Sequence, residues 1–356
     1  MSSTPAPHPA PASAPAAPAP RPARRRRPLR TALIVLLVIL ALVVGLGVLA
    51  VQTVGPRFGI YLFPPSVKSY SATALDVLDQ GYYATGPEWE QARADVVAAA
   101  DGADDYADIH DELAAAAEIA GGKHSRFMTP EESRESADSA TADFAAPTVT
   151  TANGITTITI PELGGVSEEL QQQYAQTAAD GIAQAAPQTC GWIVDLRGNR
   201  GGTMYPMLSG LAPLLPDGEA FTMQTREGEP MALTIQADGA GMGSTLVSVG
   251  EQPKITGQPI AVLQDDMTAS SGEAVATSFR GLDQVESFGT PSAGYTSANI
   301  VVPLYDGATI VLTTSMYVDR DGVNLQEQPI QPDHPTDADA AADGAAGWIS
   351  EQGCTG

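Results

Sequence analysis

The chain has 356 residues, enough for one or two domains with a sizeable core. Residues 1–30 hold six of the 18 basic residues and no acid, whereas everything after position 51 carries the other 12 against all 42 acids, a balance of −30. A body this acidic repels phosphate backbones, which excludes nucleic acid as a partner, and two cysteines, Cys190 and Cys354, are too few for a disulfide scaffold, so the fold rests on a hydrophobic core.

The first 20 residues, rich in proline and alanine, have no apolar periodicity and predict a disordered, polyproline-like tail; His8 within it has no catalytic setting. Residues 31–51 are 21 positions without a charge. At about 1.5 Å per residue they cover roughly 31 Å, one hydrocarbon core. A signal h-region is usually shorter, about 7–15 residues, and no clean A-x-A site follows, so the reading is a retained transmembrane helix over 31–52 rather than a cleaved leader. Six arginines in RPARRRRPLR (21–30) hold the preceding end in the cytoplasm, so the body lies outside the cell. A Cys190–Cys354 bridge is permitted there but not dictated.

A juxtamembrane linker is expected at 53–70 and a helical unit at 71–130. Its helical patterns fall near 71–83, after Pro87 (with Trp89, Ala92, Val96 and Val97 on one face), and over 103–119, ended by Gly121-Gly122. A polar, alanine-rich linker follows at 131–150, then a core over 151–340 and a tail at 341–356. Within the core, strands are expected at 154–160, 190–196, 219–226, 231–236 and 259–264, with helices at 167–185, 204–215 and 270–281. Alternation returns near 299–304, 308–313 and 315–318. Short buried strands alternating with helices predict an α/β fold rather than a sandwich or a bundle.

Four histidines at no ligand spacing and two distant cysteines give no metal site and imply no cofactor. Neither a phosphate-binding glycine loop nor a G-x-S-x-G elbow is present. Three places could do chemistry. Thr268-Ala269-Ser270-Ser271-Gly272-Glu273 lies between a strand and a helix, where a serine projects from the sheet edge and the next N–H can face an oxyanion. The same Ser270-x-x-Glu273 spacing serves as a helix capping box. Arg197-Gly198-Asn199-Arg200-Gly201-Gly202 could bring a backbone amide close to a ligand, or simply turn a strand into a helix. Gly121-Gly122-Lys123-His124-Ser125-Arg126-Phe127 offers an imidazole, the usual base for a serine, on what could also be a plain surface loop. His110, between acids in DIHDEL, reads as part of a solvated helix face, and His334 in PDHPT as a turn residue.

Taken in order, GGKHSRFMTPEE (121–132), GWIVDLRGNRGG (191–202), PIAVLQDDMTASSGE (259–273), FGTPSAGYTS (288–297) and EQPIQPD (327–333) resemble the C-terminal processing peptidases, or tail-specific proteases. The likeness spans about 70–333. It implies a Clp protease/crotonase-like spiral core and peptide-bond hydrolysis through an acyl-serine intermediate. It also implies Ser270 as nucleophile, an oxyanion hole from the Ser271 N–H with Gly201 or Gly202, and a turn shaped by Asp195, Arg197 and Asn199. Where many members carry a lysine base in G-x-x-T-x-G-K, this chain reads Gly289-Thr290-Pro291-Ser292-Ala293-Gly294-Tyr295. It resembles instead the tricorn-like branch, which implies His124 as general base and Glu327, 57 residues after Ser270, as its partner. Lys123 stands where that branch has a serine. Only about 20 residues separate Glu132 from the strand near Gly154, too few for the PDZ domain of many members. The expectation is a membrane-anchored extracellular serine peptidase acting on peptides or proteins. The rival reading is an inactive peptidase-fold protein that binds peptides as a surface module, with Ser270 only a helix cap. Hydrolysis of a non-peptide ester or lactone stays open, as does the oligomeric state.

Overall fold

A computed structural model of the chain describes residues 27–55, 60 and 62–354. The expected disordered tail at 1–20 lies outside them. Residues up to Gly55 form one unit and those from Pro56 onward another.

The first unit is a single helix, α1 (Arg27–Val54), whose segment Thr31–Leu49 is long and apolar enough to cross a membrane. Most of its described leucines and valines are half to two-thirds exposed, as in Leu36 (62%) and Leu46 (65%).

The second unit opens with three helices, α2 (Val67–Leu78), α3 (Gly86–Gly102) and α4 (His110–Gly121). The helix expected at 71–83 starts earlier because Ser66 caps it, accepting the Ser69 N–H at 3.2 Å. Trp89, Ala92 and Val96 are buried as their spacing predicted, but Val97 faces out. His110 is no part of a solvated face: it is mostly buried, with Nε2 2.9 Å from Asp306 Oδ2, and Asp306 also accepts from the Tyr70 hydroxyl. The acids beside it in sequence point elsewhere, because neighbours along a helix do not share a face.

A short strand β1 (Arg126–Met128) and α5 (Pro130–Ala142) follow. The linker expected at 131–150 is therefore mostly helix. It buries no side chain, so hydrophobic periodicity was silent. The readable signal was the capping box, in which Thr129 and Glu132 satisfy each other's backbone N–H groups.

Strands β2 (Thr148–Ala152) and β3 (Ile155–Thr159) form a hairpin, followed by α6 (Glu168–Ala185), β4 (Gly191–Asp195) and α7 (Met204–Leu211). Four strands then run as a meander: β5 (Gly218–Thr225), β6 (Pro230–Gln236), β7 (Gly239–Gly241) and β8 (Thr245–Ser248). The rest are β9 (Ile260–Gln264), α8 (Ser271–Phe279), β10 (Val285–Gly289), β11 (Ser297–Pro303), β12 (Thr309–Val318), β13 (His334–Pro335) and α9 (Ala338–Glu351). His334 is thus a strand residue, stacked on Phe288.

Two sheets result. One has the order β13-β10-β9-β4-β3-β2, parallel except for the β2–β3 hairpin; the other is antiparallel, β1-β12-β5-β6-β7-β8, with β11 on the far side of β12. The two central parallel strands, β4 and β9, read as apolar runs because both their faces are covered. Trp192, Val194, Ile260 and Val262 face the main core with α6, α7 and α8, while Ile193, Ala261 and Leu263 face α9. The C-terminal tail expected at 341–356 is therefore structural: Ala341, Ala345 and Ile349, each four residues apart, bury one helical stripe, and Cys354 is bridged to Cys190. The helical unit shares its core with β12 through Ile310 and Leu312. That contact sets the α4–β1 connection beside the ends of β9 and β11, where the site lies.

Candidate active site

Buried strand β9 ends at Gln264, and the chain turns sharply into α8. Asp265 fastens this turn by accepting the N–H of Gly198, Met267 and Thr268 at 3.0–3.1 Å, and Thr268 Oγ1 donates to Leu196 O at 2.9 Å. Asn199, wholly buried, accepts the Ala269 N–H on its carbonyl at 2.9 Å and donates from Nδ2 to Ile160 O. The partners these residues require come from the ends of β3, β4 and β9, so the parallel sheet holds the turn rigid.

Ser270 closes the turn at φ 52°, ψ −112°. The serine and threonine caps of α2, α5 and α6 sit near φ −60°, ψ 160° instead. A non-glycine residue at positive φ costs about 1–3 kcal/mol, a strain a helix cap does not need. Glu273, fully buried, offsets it: Oε2 accepts the Ser270 N–H (2.8 Å) and the Tyr295 N–H (2.7 Å), while Oε1 accepts the Gly294 N–H and the Ser292 hydroxyl. Burial pushes the Glu273 carboxyl above its ordinary range, against the pull of these donors.

The Gly201–Gly202 turn lies against Ser270. A Cβ on Gly201 would come within 2.7 Å of Ser270 Cβ, and both glycines have φ above 100°. The two glycines differ in their amides. Gly201 donates its N–H to Asn199 Oδ1 at 2.9 Å, which takes it out of an oxyanion hole. Among the described residues neither the exposed Gly202 N–H nor that of Ser271 donates within the chain. Ser271 Oγ donates to Gly202 O at 2.7 Å and so ties these two positions together. Asp195 and Arg197 form a two-pronged ion pair (2.8 and 2.6 Å), and Arg197 Nη1 donates to Ala338 O, anchoring α9 to the turn.

The opposite wall carries His124. Its Nδ1 lies 2.8 Å from Ser297 Oγ, and Ser297 Oγ donates to Glu327 Oε1 at 2.8 Å. A hydroxyl has one proton. With that proton given to Glu327, Ser297 Oγ accepts from His124, so the neutral imidazole carries its hydrogen on Nδ1 and leaves Nε2 with the free lone pair. Among the described residues this is the only hydrogen bond of the ring, and none joins it to Ser270. Burial first, then the charges of Arg126 and Lys123, lower its pKa to about 4. Glu327, buried and at φ 54°, also accepts from the Tyr83 hydroxyl at 3.5 Å. Tyr295 bridges the walls: its N–H is on Glu273, and its ring meets His124 edge-on with centroids 5.0 Å apart.

Ser270, Ser271 and Gly202 therefore share one turn, and His124 and Glu327 share another wall, linked through a hydroxyl rather than directly. Ser297 and Tyr83 had not been singled out, and Glu273 had been named only as a capping-box partner of Ser270. Ser297 is the first residue of β11, and no local pattern marks it. Among the described residues no group of three His, Cys, Asp or Glu side chains could hold a metal ion.

Residues 154–336 match the profile of peptidase family S41. The nisin-resistance protein of Lactococcus lactis is 36% identical over 299 residues, 84% of this chain and 92% of that one. A carboxy-terminal-processing protease of Bartonella bacilliformis is 28% identical over 143 residues, 40% of this chain and 30% of the relative. Among solved structures, a lipoprotein from Streptococcus agalactiae superposes with a TM-score of 0.72 at 31% identity, covering 82% of this chain and 99% of that one. The photosystem II D1 C-terminal processing protease shares the fold with a TM-score of 0.54 at 15% identity, covering 78% and 95%. A profile matched from β3 to β13, with the Ser270 turn inside it, and a relative similar along nearly its whole length lead to one conclusion: this chain belongs to peptidase family S41.

Proposed function

We propose that the protein is a membrane-anchored extracellular serine peptidase in which Ser270 attacks, His124 carries the proton and Glu327 supports His124 through Ser297. The observation that carries the reading is the backbone of Ser270, strained where every capping serine or threonine nearby is relaxed.

In acylation, Ser270 Oγ bonds to the scissile carbonyl carbon as its proton passes to His124 Nε2. The carbonyl oxygen becomes an oxyanion facing the Ser271 and Gly202 N–H groups. The imidazolium is held by the Ser297–Glu327 chain until Nε2 protonates the departing amine and the C–N bond breaks. Water, deprotonated by the same Nε2, then releases the acyl group and restores Ser270. The absent Ser270–His124 hydrogen bond fits a site that tightens when substrate fills it. The core is read as the spiral of β-β-α units expected from the sequence.

For location, the apolar α1 and the arginines before it support an anchor with the body outside. The Cys190–Cys354 bridge suits an oxidising compartment, and the streptococcal neighbour is named a lipoprotein. The lactococcal relative's name makes nisin the first substrate to try. The test is fluorophosphonate labelling of the full chain in detergent beside Ser270→Ala and His124→Ala. Labelling at Ser270 that both changes abolish is the expected result. A folded wild-type chain that fails to label would overturn the reading in favour of a peptide-binding module.

A further inference from the structure

Helices α3 and α4 pack side by side, yet the space between them is not filled. Residues 88–95 of one and 112–119 of the other bound a groove of about 480 Å³. Its floor is Ala92, Ala115, Ala116 and Ile119, mostly small side chains that leave the trough open, with Ile119 37% exposed. Its rim is Glu88, Asp95 and Glu112. Spacings of three, four and seven residues put rim and floor on one face of each helix.

Among the described residues no cation answers that rim. None of the three carboxylates holds a salt bridge there. Arg93, the one base of α3, is turned to Asp79 at 3.2 Å, and α4 has no Lys or Arg. Glu112 Oε2 is shut from water and accepts no hydrogen bond among the described residues. A buried carboxylate oxygen left unpaired is costly, and a bound cation removes that cost.

The groove opens toward the base wall. The approach to α3 and the end of α4 meet at Tyr83, whose N–H donates to Ala120 O at 2.8 Å. A Cβ on Gly122 would come within 2.7 Å of the Tyr83 ring, and the Tyr83 hydroxyl reaches Glu327 at 3.5 Å. Five residues lead from Ile119 to His124, at most about 18 Å of chain. An extended peptide covers that distance, and part of the groove, with roughly five to eight residues.

We propose that the groove is an exosite for a cationic, amphipathic stretch of the peptide substrate. Apolar side chains lie on the alanine floor, and Lys or Arg head groups meet Glu88, Asp95 and Glu112. The bond to be cut then lies roughly five to eight residues away along the same peptide. The rim repels anionic lipid and acidic peptides alike. A second copy of this chain is repelled too, since its body carries 42 acids against 12 bases. The link to cleavage rests on the Ser270–His124 reading above; the binding does not.

The test uses the full chain in non-ionic detergent and two fluorescent peptides, one of leucine with lysine and one of leucine with glutamate. Binding is read by anisotropy on the Ser270→Ala chain, so that nothing is cut. The lysine peptide should bind about tenfold tighter or better, with the margin shrinking at high salt. Glu88→Gln with Asp95→Asn and Glu112→Gln should abolish the preference. Ala115→Trp, which fills the trough and keeps every charge, should weaken lysine-peptide binding as well. With Ser270 intact, a peptide that the chain cuts is extended by the same lysine–leucine stretch about five to eight residues from its cut. It should gain about tenfold in kcat/KM, mainly through KM. The neutralised variant should lose that gain while its Ser270 labels at the wild-type rate. Equal binding of the two peptides overturns the exosite, as does a preference that survives both neutralisation and filling. Binding that leaves kcat/KM unmoved overturns its part in the reaction. A wild type that binds with the preference but neither labels nor cuts overturns the catalytic reading and leaves a peptide-binding groove.

Discussion

The two walls of the site are built in opposite ways. The nucleophile wall comes from two short segments, 195–203 and 265–273, that end adjacent parallel strands and are laced by local hydrogen bonds. The base wall draws Tyr83, His124, Tyr295, Ser297 and Glu327 from four stretches of chain and holds the imidazole by one hydrogen bond and one ring contact. One wall is fixed by its own sequence, the other by how helices and β11–β12 pack. Positive φ occurs on both walls, at Ser270 and at Glu327, and the proposed mechanism asks for proton mobility on the less tightly held one, at His124. The difference suits the proposed roles, in which the base needs a rigid target and a ring that can be brought to it.

The largest effects should come from the rigid wall. Ser270→Ala removes the atom proposed to form the acyl bond and should lower turnover by about 10⁴-fold or more while the chain stays folded. Equal turnover in this variant would sink the mechanism. Glu273→Ala leaves four buried donors unmet, at Ser270, Ser292, Gly294 and Tyr295. It should cost about 3–5 kcal/mol in denaturant unfolding and loosen both walls at once, because Tyr295 carries the ring against His124. A loss under about 1 kcal/mol would mean that the carboxylate is not what joins them.

The same contrast governs what was legible. The Ser270 turn could be read because each of its two segments spans only nine residues and follows a strand with an apolar run. Even there the choice between Gly201 and Gly202 needed coordinates, since only the position of Asn199 Oδ1 shows which amide is spent. His124 stood out as a candidate imidazole in its loop, but its proposed role, like that of Glu327, came from the resemblance alone. Ser297 was missed because a serine at the start of a strand has no signature. The fold failed to show in the same way at α5 and α9. Both are alanine-rich, one burying nothing and the other a stripe of small residues, so neither gives the apolar period that betrays a helix. His110 was misjudged because its carboxylate, Asp306, is 196 residues away.

On the base wall the expected effects are smaller. Ser297→Ala breaks the chain from His124 to Glu327 while leaving Ser270 and the oxyanion N–H groups in place. The imidazolium loses its support and the ring its fixed tautomer, so fluorophosphonate labelling should slow about 10–100-fold. Ser297→Thr keeps the hydroxyl and should recover most of the rate. If alanine and threonine behave alike, Glu327 acts on His124 by some route other than this hydroxyl.

The mildest test leaves the chain unaltered and changes only pH. Burial, with Arg126 and Lys123 beside it, holds the His124 pKa near about 4 rather than 6.5. The base works only when neutral, so the acid limb of kcat/KM should fall near pH 4, and activity should persist at pH 5–6, where an ordinary imidazole is largely protonated. Stability carries the same signature with a definite sign. Between about pH 6.5 and 4 the unfolded chain binds a proton at this position that the folded chain refuses, so lowering the pH through that window favours unfolding; above and below it the contribution is flat. His124→Ala should lose that slope in a melting series while keeping the fold. An acid limb at pH 6.5 in the wild type would mean that solvent reaches the ring in the free enzyme, cancelling the effect of burial and screening the cations. It would also shift the origin of catalysis from a pre-lowered base toward one tuned on binding.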